Sequence, residues 1–155
     1  MNLSDYVLKF LISKKIKNVF LITGGAICFL IDAFSRTKKI KYTCVAHEQA
    51  AAMMADAYSR LGPNLSCTMA TSGPGATNLI TGIACSWFDS IPSIHITGQV
   101  NSYEQQGAQK GTKNVRQIGF QETDIVSITK PITKFSYKLK NEKEIKYILE
   151  KACYL

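Results

Sequence analysis

No stretch of this sequence is long and apolar enough to span a bilayer, which takes roughly 20 apolar residues. The first residues lack a basic region followed by an apolar run, so no secretory leader is expected. There is no low-complexity tract, collagen-type period or internal repeat, and the disordered, fibrous and solenoid classes lose their support. The five cysteines, Cys28, Cys44, Cys67, Cys85 and Cys153, are odd in number, and no two show metal-ligand spacing. Four of them stand in apolar or strand-like stretches, where a free thiol packs as a small hydrophobe. That usage fits a reducing, cytoplasmic setting.

The sequence is short of acid: 19 Lys and Arg against 11 Asp and Glu leave a net charge of +8. Such a balance invites a nucleic-acid reading. However, the lysines are dispersed, among them those at positions 14, 15, 17, 38, 39, 41, 110, 113, 138, 140, 146 and 151, without the aromatic interleaving that single-strand binders use. The expectation is a solvated surface, with neither a nucleic-acid nor a membrane partner.

The 155 residues, 46% of them hydrophobic, suit one domain with a real core. Helical spacing of Leu3, Tyr6, Val7, Phe10 and Leu11 predicts a helix over residues 2–16, capped by Asn2 or Ser4. Apolar Val19-Phe20-Leu21-Ile22 reads as a buried strand stopped by Thr23-Gly24-Gly25. A helix over residues 26–35 follows, with Ile27, Leu30, Ile31 and Phe34 on one side. The unit then recurs. Strands are predicted at 42–45, 66–70 and 93–97. Helices follow at 47–61, with an apolar face of Ala50, Met54, Ala57, Tyr58 and Leu61, and from 76 to about 86. Beyond Gly98 comes a long polar segment, residues 99–119, of a length usually reserved for function or mobility. A short helix at 120–127, a final strand at 130–137 and a helix over 142–155 complete the reading. That last helix has no closing cap, so a longer polypeptide is expected. The alternation implies an α/β fold: three layers, a mainly parallel doubly wound sheet with helices on both faces.

In such sheets ligands bind outside the carboxyl ends of the strands. Here those ends carry Gly24-Gly25-Ala26, His47-Glu48-Gln49, Ser72-Gly73-Pro74-Gly75 and Gly98-Gln99. Glu48 opens a helix, where the dipole favours an anion. Small or apolar neighbours, Val45-Ala46 before it and Ala50-Ala51-Ala52-Met53-Met54 after it, predict a partly desolvated carboxylate able to share a proton with a ligand nitrogen. A helix-starting acid facing solvent is the plainer alternative. His47 has no second His at helical spacing and reads as structural rather than metal-binding; His95, inside a strand, reads as core. The dinucleotide fingerprint fails at Asn78, where its third glycine would stand, and no Gly-x-Ser-x-Gly surrounds Ser72.

Four runs together resemble one family. They are Val45-Ala46-His47-Glu48-Gln49-Ala50-Ala51, Ala70-Thr71-Ser72-Gly73-Pro74-Gly75-Ala76-Thr77-Asn78, Ile94-His95-Ile96-Thr97-Gly98-Gln99-Val100 and Gly119-Phe120-Gln121-Glu122-Thr123-Asp124-Ile125-Val126. In this order they are similar to the N-terminal, aminopyrimidine-binding (PYR) domain of acetolactate synthases and related thiamine-diphosphate enzymes. The resemblance implies a 2-keto acid decarboxylase or carboligase acting on a substrate such as pyruvate. It implies a cofactor held between this domain and the diphosphate-binding domain of a second subunit, in a homodimer or homotetramer.

By position Glu48 matches the glutamate that hydrogen-bonds N1′ of the aminopyrimidine and promotes the tautomer through which the cofactor's C2 proton is lost. Gly24, Gly25 and Ala26 match the glycine loop beside the thiazolium. Pro74 and Asn78 match the segment beside the pyrimidine, and Gln121 the glutamine near the substrate channel. Phe120 before it reads equally as core. The family's Gly-Asp-Gly…Asn metal signature is absent, so no metal ligand is expected here, and Mg²⁺ would need another domain; FAD in a longer protein stays open. Thr23 replaces the usual proline before the two glycines, and the stretch 101–118 is longer than the family's, which leaves the acceptor substrate open. A separate subunit of a split decarboxylase, like sulfopyruvate decarboxylase, and a non-catalytic nucleotide-binding module remain alternatives.

Overall fold

The structure is a computed structural model that describes residues 1–63, 65–111 and 115–155. Lys113 and the adjoining part of the polar segment, residues 112–114, lie outside the described residues. Strands β1 (Asn18–Leu21), β2 (Lys41–Cys44), β3 (Ser66–Ala70) and β4 (Ser93–Thr97) form one sheet in the order β2-β1-β3-β4. Every pairing is parallel, with Val19 beside both Tyr42 and Cys67, and Thr68 beside His95.

Alternation along the strands divides the core into two layers. Val19, Leu21, Cys67 and Met69 face one way and pack with Val7, Phe10 and Leu11 of α1 (Leu3–Ser13) and Phe34 of α2 (Cys28–Ser35). Phe20 and Ala70 face the other way, toward α3 (Glu48–Arg60) and, after the single turn α4 (Pro74–Thr77), α5 (Ile80–Phe88). The expected three layers and doubly wound parallel sheet are therefore present. Each fully buried Leu or Val contributes about 1.5–3 kcal/mol of hydrophobic free energy to this arrangement.

Asn2, rather than Ser4, caps α1, its side chain accepting from the Asp5 amide over 2.8 Å. The helix ends at Ser13, short of residue 16, in a Schellman turn: Ile16 N–H reaches Leu11 O and Lys15 N–H reaches Ile12 O, with Lys15 left-handed at φ 62°.

The buried face of α3 differs from the expected one. Ala51, Ala52, Ala55, Asp56 and Ser59 point inward, while Ala50, Met54, Ala57 and Leu61 lie at the surface. The small side chains let the helix lie close to its neighbours: a Cβ on Gly82 of α5 would come within 2.3 Å of Ala52 Cβ. Size, not hydrophobicity, chose the inner face. Polar groups lock the same pair of helices. Asp56 accepts from Ser86 Oγ at 2.9 Å and from Arg60 Nε at 2.6 Å. The Arg60 guanidinium, aided by the Ser86 hydroxyl against the cost of burial, holds the Asp56 carboxyl below its usual range.

The C-terminal third departs most from expectation. The predicted helix at 120–127 is displaced to α6 (Ile125–Thr129), because Gln121 is left-handed and Asp124 caps the helix by accepting from Ser127 N–H. No strand forms over 130–137: a 3₁₀ turn covers Lys130–Ile132 and the chain then runs extended without a sheet partner. Phe135 instead stacks on Tyr137 against α7 (Ile145–Tyr154), with Lys151 Nζ 5.0 Å from the Phe135 ring. The dispersed lysines in the described residues are exposed except Lys151, which is half-buried. Of the cysteines only Cys67 is fully buried and Cys153 partly so; Cys28, Cys44 and Cys85 lie on the surface, at the start of α2, on edge strand β2 and on the outer side of α5.

Candidate functional site

The sheet's order reverses between β1 and β3, and the turns leaving these two strands meet. A Cβ on Gly24 would sit 2.5 Å from Thr71 Cβ, so Gly24 must be glycine for the turns to touch. The Thr71 hydroxyl also accepts from the Ala26 amide at 3.4 Å. The third neighbour, β4, closes against the same loop: a Cβ on Gly98 would lie 2.5 Å from Ala26 Cβ. An open depression of about 420 Å³, lined by Thr23, Gly24, Gly25, Cys28, Ile31 and Asp32, flanks this junction. A Cβ on Gly25 would meet nothing within 4 Å, so Gly25 faces open space there.

Glu48 enters from the other side. It is 9% exposed in the first turn of α3, directly after the cap residue His47, whose Nδ1 accepts from Gln49 N–H at 3.1 Å. The solvent-facing reading of Glu48 is thereby excluded. Its Oε2 accepts from Asn78 Nδ2 at 2.9 Å, and its Oε1 lies 3.3 Å from where a Gly75 Cβ would be. The same Gly75 position is 2.7 Å from Thr71 Cγ2. Glycine loop, buried carboxylate and Asn78 thus form one contiguous group, joined through Thr71 and Gly75. Pro74 opens α4 between them and is exposed.

Gln121 reaches the group from the chain's far end. At φ 58° it packs onto Gly73, where a Cβ would meet Gln121 O at 2.5 Å and Gln121 Cβ at 2.6 Å. Left-handed non-glycine residues that persist despite their cost are enriched at functional sites. Phe120 beside it is 82% exposed, so the core reading of Phe120 is overturned.

His95 lies apart from the group. Thr68 Oγ1 sits 2.8 Å from its Nδ1 and Ser93 Oγ 2.9 Å from its Nε2, and burial pushes its pKa down to about 4.

A family described as thiamine pyrophosphate enzyme, N-terminal TPP binding domain, has a model that matches residues 1–128. The chain belongs to that family. Among curated proteins, this thiamine pyrophosphate enzyme N-terminal domain is 44% identical over 148 residues to the acetolactate synthase large subunit of Cyanidium caldarium, across 94% of the chain and 24% of that protein. It is 38% identical over 152 residues to the acetolactate synthase isozyme 3 large subunit of Escherichia coli, across 98% of the chain and 25% of that protein. The chain thus spans about a quarter of the length of the curated relatives it matches.

Every position matched by motif lies in or against the group at the strand ends. Thr71 touches both halves of it, and the sequence alone assigns it no role. Its only sequence signal is its place at the exit of a strand that proves central, two residues before Gly73. Among the described residues no three His, Cys, Asp or Glu side chains converge as a metal site.

Proposed function

We propose that this chain is the aminopyrimidine-binding domain of a thiamine-diphosphate-dependent 2-keto acid carboligase or decarboxylase of acetolactate synthase type. One observation carries the reading: a carboxylate buried at the exit of β2, with one oxygen engaged by Asn78 and the other beside a glycine, in a member of a thiamine pyrophosphate enzyme family.

The residues suit that cofactor. A buried acid at a helix N-terminus, aided by the dipole, can hold a proton at the N1′ nitrogen of an aminopyrimidine. The Asn78 amide fixes the carboxylate so that its free oxygen faces the ring. Gly75 lets the α4 turn pack on Thr71 beside the carboxylate, and Gly24, Gly25 and Ala26 bring backbone close to the second heterocycle. Gln121, seated on Gly73 beside this group, is the residue we assign to a 2-keto acid such as pyruvate. Thiamine diphosphate supplies the carbon nucleophile and electron sink for decarboxylation and carbon–carbon bond formation.

The diphosphate and its Mg²⁺ would be held by a domain of a second subunit, in a homodimer or homotetramer. Exposed apolar side chains on α3 and α5, Met53, Met54, Trp87 and Phe88, support a partner surface there. The test is turnover of pyruvate by the full-length enzyme with and without thiamine diphosphate. Activity that depends on the cofactor and disappears in Glu48→Ala supports the reading. Cofactor-independent activity, or a fully active Glu48→Ala, overturns it.

A further inference from the structure

The polar segment that follows β4 is pinned by one side chain. Glu122 Oε1 accepts from the Gln106 amide at 2.6 Å, and Oε2 accepts from the Ile118 amide at 3.4 Å. The two amides lie on opposite limbs of the segment, so a single carboxylate closes it. Further bonds brace the closure: Gly119 N–H donates to Glu104 O at 2.8 Å, and Glu122 N–H to Gly119 O at 3.1 Å. Glu104 in turn forms a capping box with Asn101 at the segment's start.

The residue before Glu122 faces the other way. Gln121 is left-handed and lies on Gly73, one residue from Pro74 and two from the Gly75 that borders Glu48. A left-handed Gln costs roughly 1 kcal/mol, and the cost is met only where both flanks are held. One flank is Gly73. The other is Glu122, whose backbone is fixed by Gly119 and whose carboxylate is fixed by two amides of the segment.

We propose that Glu122 is a positioning residue. By clipping Gln106 to Ile118 it holds Gln121 in place on Gly73, so that contact between Gln121 and the 2-keto acid depends on closure of the segment. This rests on the functional reading above and adds to it a residue that touches neither substrate nor cofactor. The chemistry requires a carboxylate: glutamine offers one acceptor oxygen and can serve only one of the two amides, and alanine serves neither.

The test uses the full-length enzyme and the variants E122Q, E122A, Q121A and the double variant. The clip predicts a KM for pyruvate about tenfold higher in E122A and about threefold higher in E122Q, with thiamine diphosphate affinity within twofold of wild type. Trypsin cleavage after the exposed Lys110 and Arg116 should accelerate in the same order. If Glu122 acts through Gln121, the double variant is no worse in KM than Q121A alone. A wild-type KM in E122A overturns the proposal. Faster cleavage with unchanged KM also overturns it, by making the clip structural only. Additive KM effects in the double variant, or cofactor affinity falling in step with KM, overturn the route through Gln121. Should E122A fail to fold, E122Q carries the same readouts. A wild-type enzyme that binds no thiamine diphosphate sinks the functional reading and the coupling with it, and the trypsin series still judges the clip.

Discussion

Asn78 donates its side-chain amide to Oε2 of Glu48 over 2.9 Å, linking the end of α4 to the first turn of α3 across 30 residues of sequence. The bond assigns the two carboxylate oxygens different tasks: one is occupied within the protein, and the other is free toward Gly75. Removing the partner of a buried charged acceptor costs about 1–3 kcal/mol. Asn78→Ala should therefore lower kcat of the full-length enzyme 10- to 100-fold, with the KM for pyruvate little changed. Asn78→Asp should be worse than alanine, since it sets a second carboxylate against Glu48. Steady-state kinetics on both variants check the order.

Gly75 and Gly24 press on different parts of Thr71, and this separates their consequences. An alanine at 75 places its Cβ 2.7 Å from Thr71 Cγ2, whereas an alanine at 24 meets Thr71 Cβ itself at 2.5 Å. Each should destabilise by about 1–3 kcal/mol through overpacking. Thr71→Ser removes Cγ2 and keeps Cβ. It should restore stability to Gly75→Ala and leave Gly24→Ala unrescued. Unfolding midpoints of the three single and two double variants decide it; equal rescue of both glycine variants would be inconsistent with these contacts.

His95 gives the fold a pH dependence of definite sign. Its folded pKa of about 4 lies below the unfolded value near 6.5. Between those values the unfolded chain binds the proton and the folded chain does not. The contribution is therefore complete above pH 6.5 and is lost as pH falls from 6.5 toward 4, by up to about 3 kcal/mol. Denaturant unfolding at pH 7 and pH 4.5 should show a drop in wild type that His95→Gln reduces.

How far the sequence disclosed this molecule depended on whether a signal was local. β3 and β4 are legible at their observed bounds because each strand stops on a turn, at Thr71-Ser72-Gly73 and at Gly98. Glu48 stood out because a charge among alanines at a helix start is a local anomaly. The buried face of α3 is not legible in the sequence because hydrophobic spacing favours Met54 and Leu61, while close approach to Gly82 demands small residues, a property of the partner helix. The expected strand over 130–137 fails because Phe135 and Tyr137 stack against α7, a contact set by tertiary structure and not by local sequence. The left-handed Gln121 and the role of Thr71 had no local signature at all. Both follow from glycines distant in sequence, Gly73 in one case and Gly24 and Gly75 in the other.

The account stands on Glu48 acting at the aminopyrimidine. The most direct measurement is the rate of hydrogen–deuterium exchange at C2 of thiamine diphosphate bound to the full-length enzyme, in wild type and in Glu48→Gln. Glutamine keeps the shape and gives up the carboxylate that would hold the N1′ proton. The account predicts exchange slowed by two or more orders of magnitude, with the cofactor still bound. Exchange at the wild-type rate on a cofactor-loaded Glu48→Gln enzyme would contradict it.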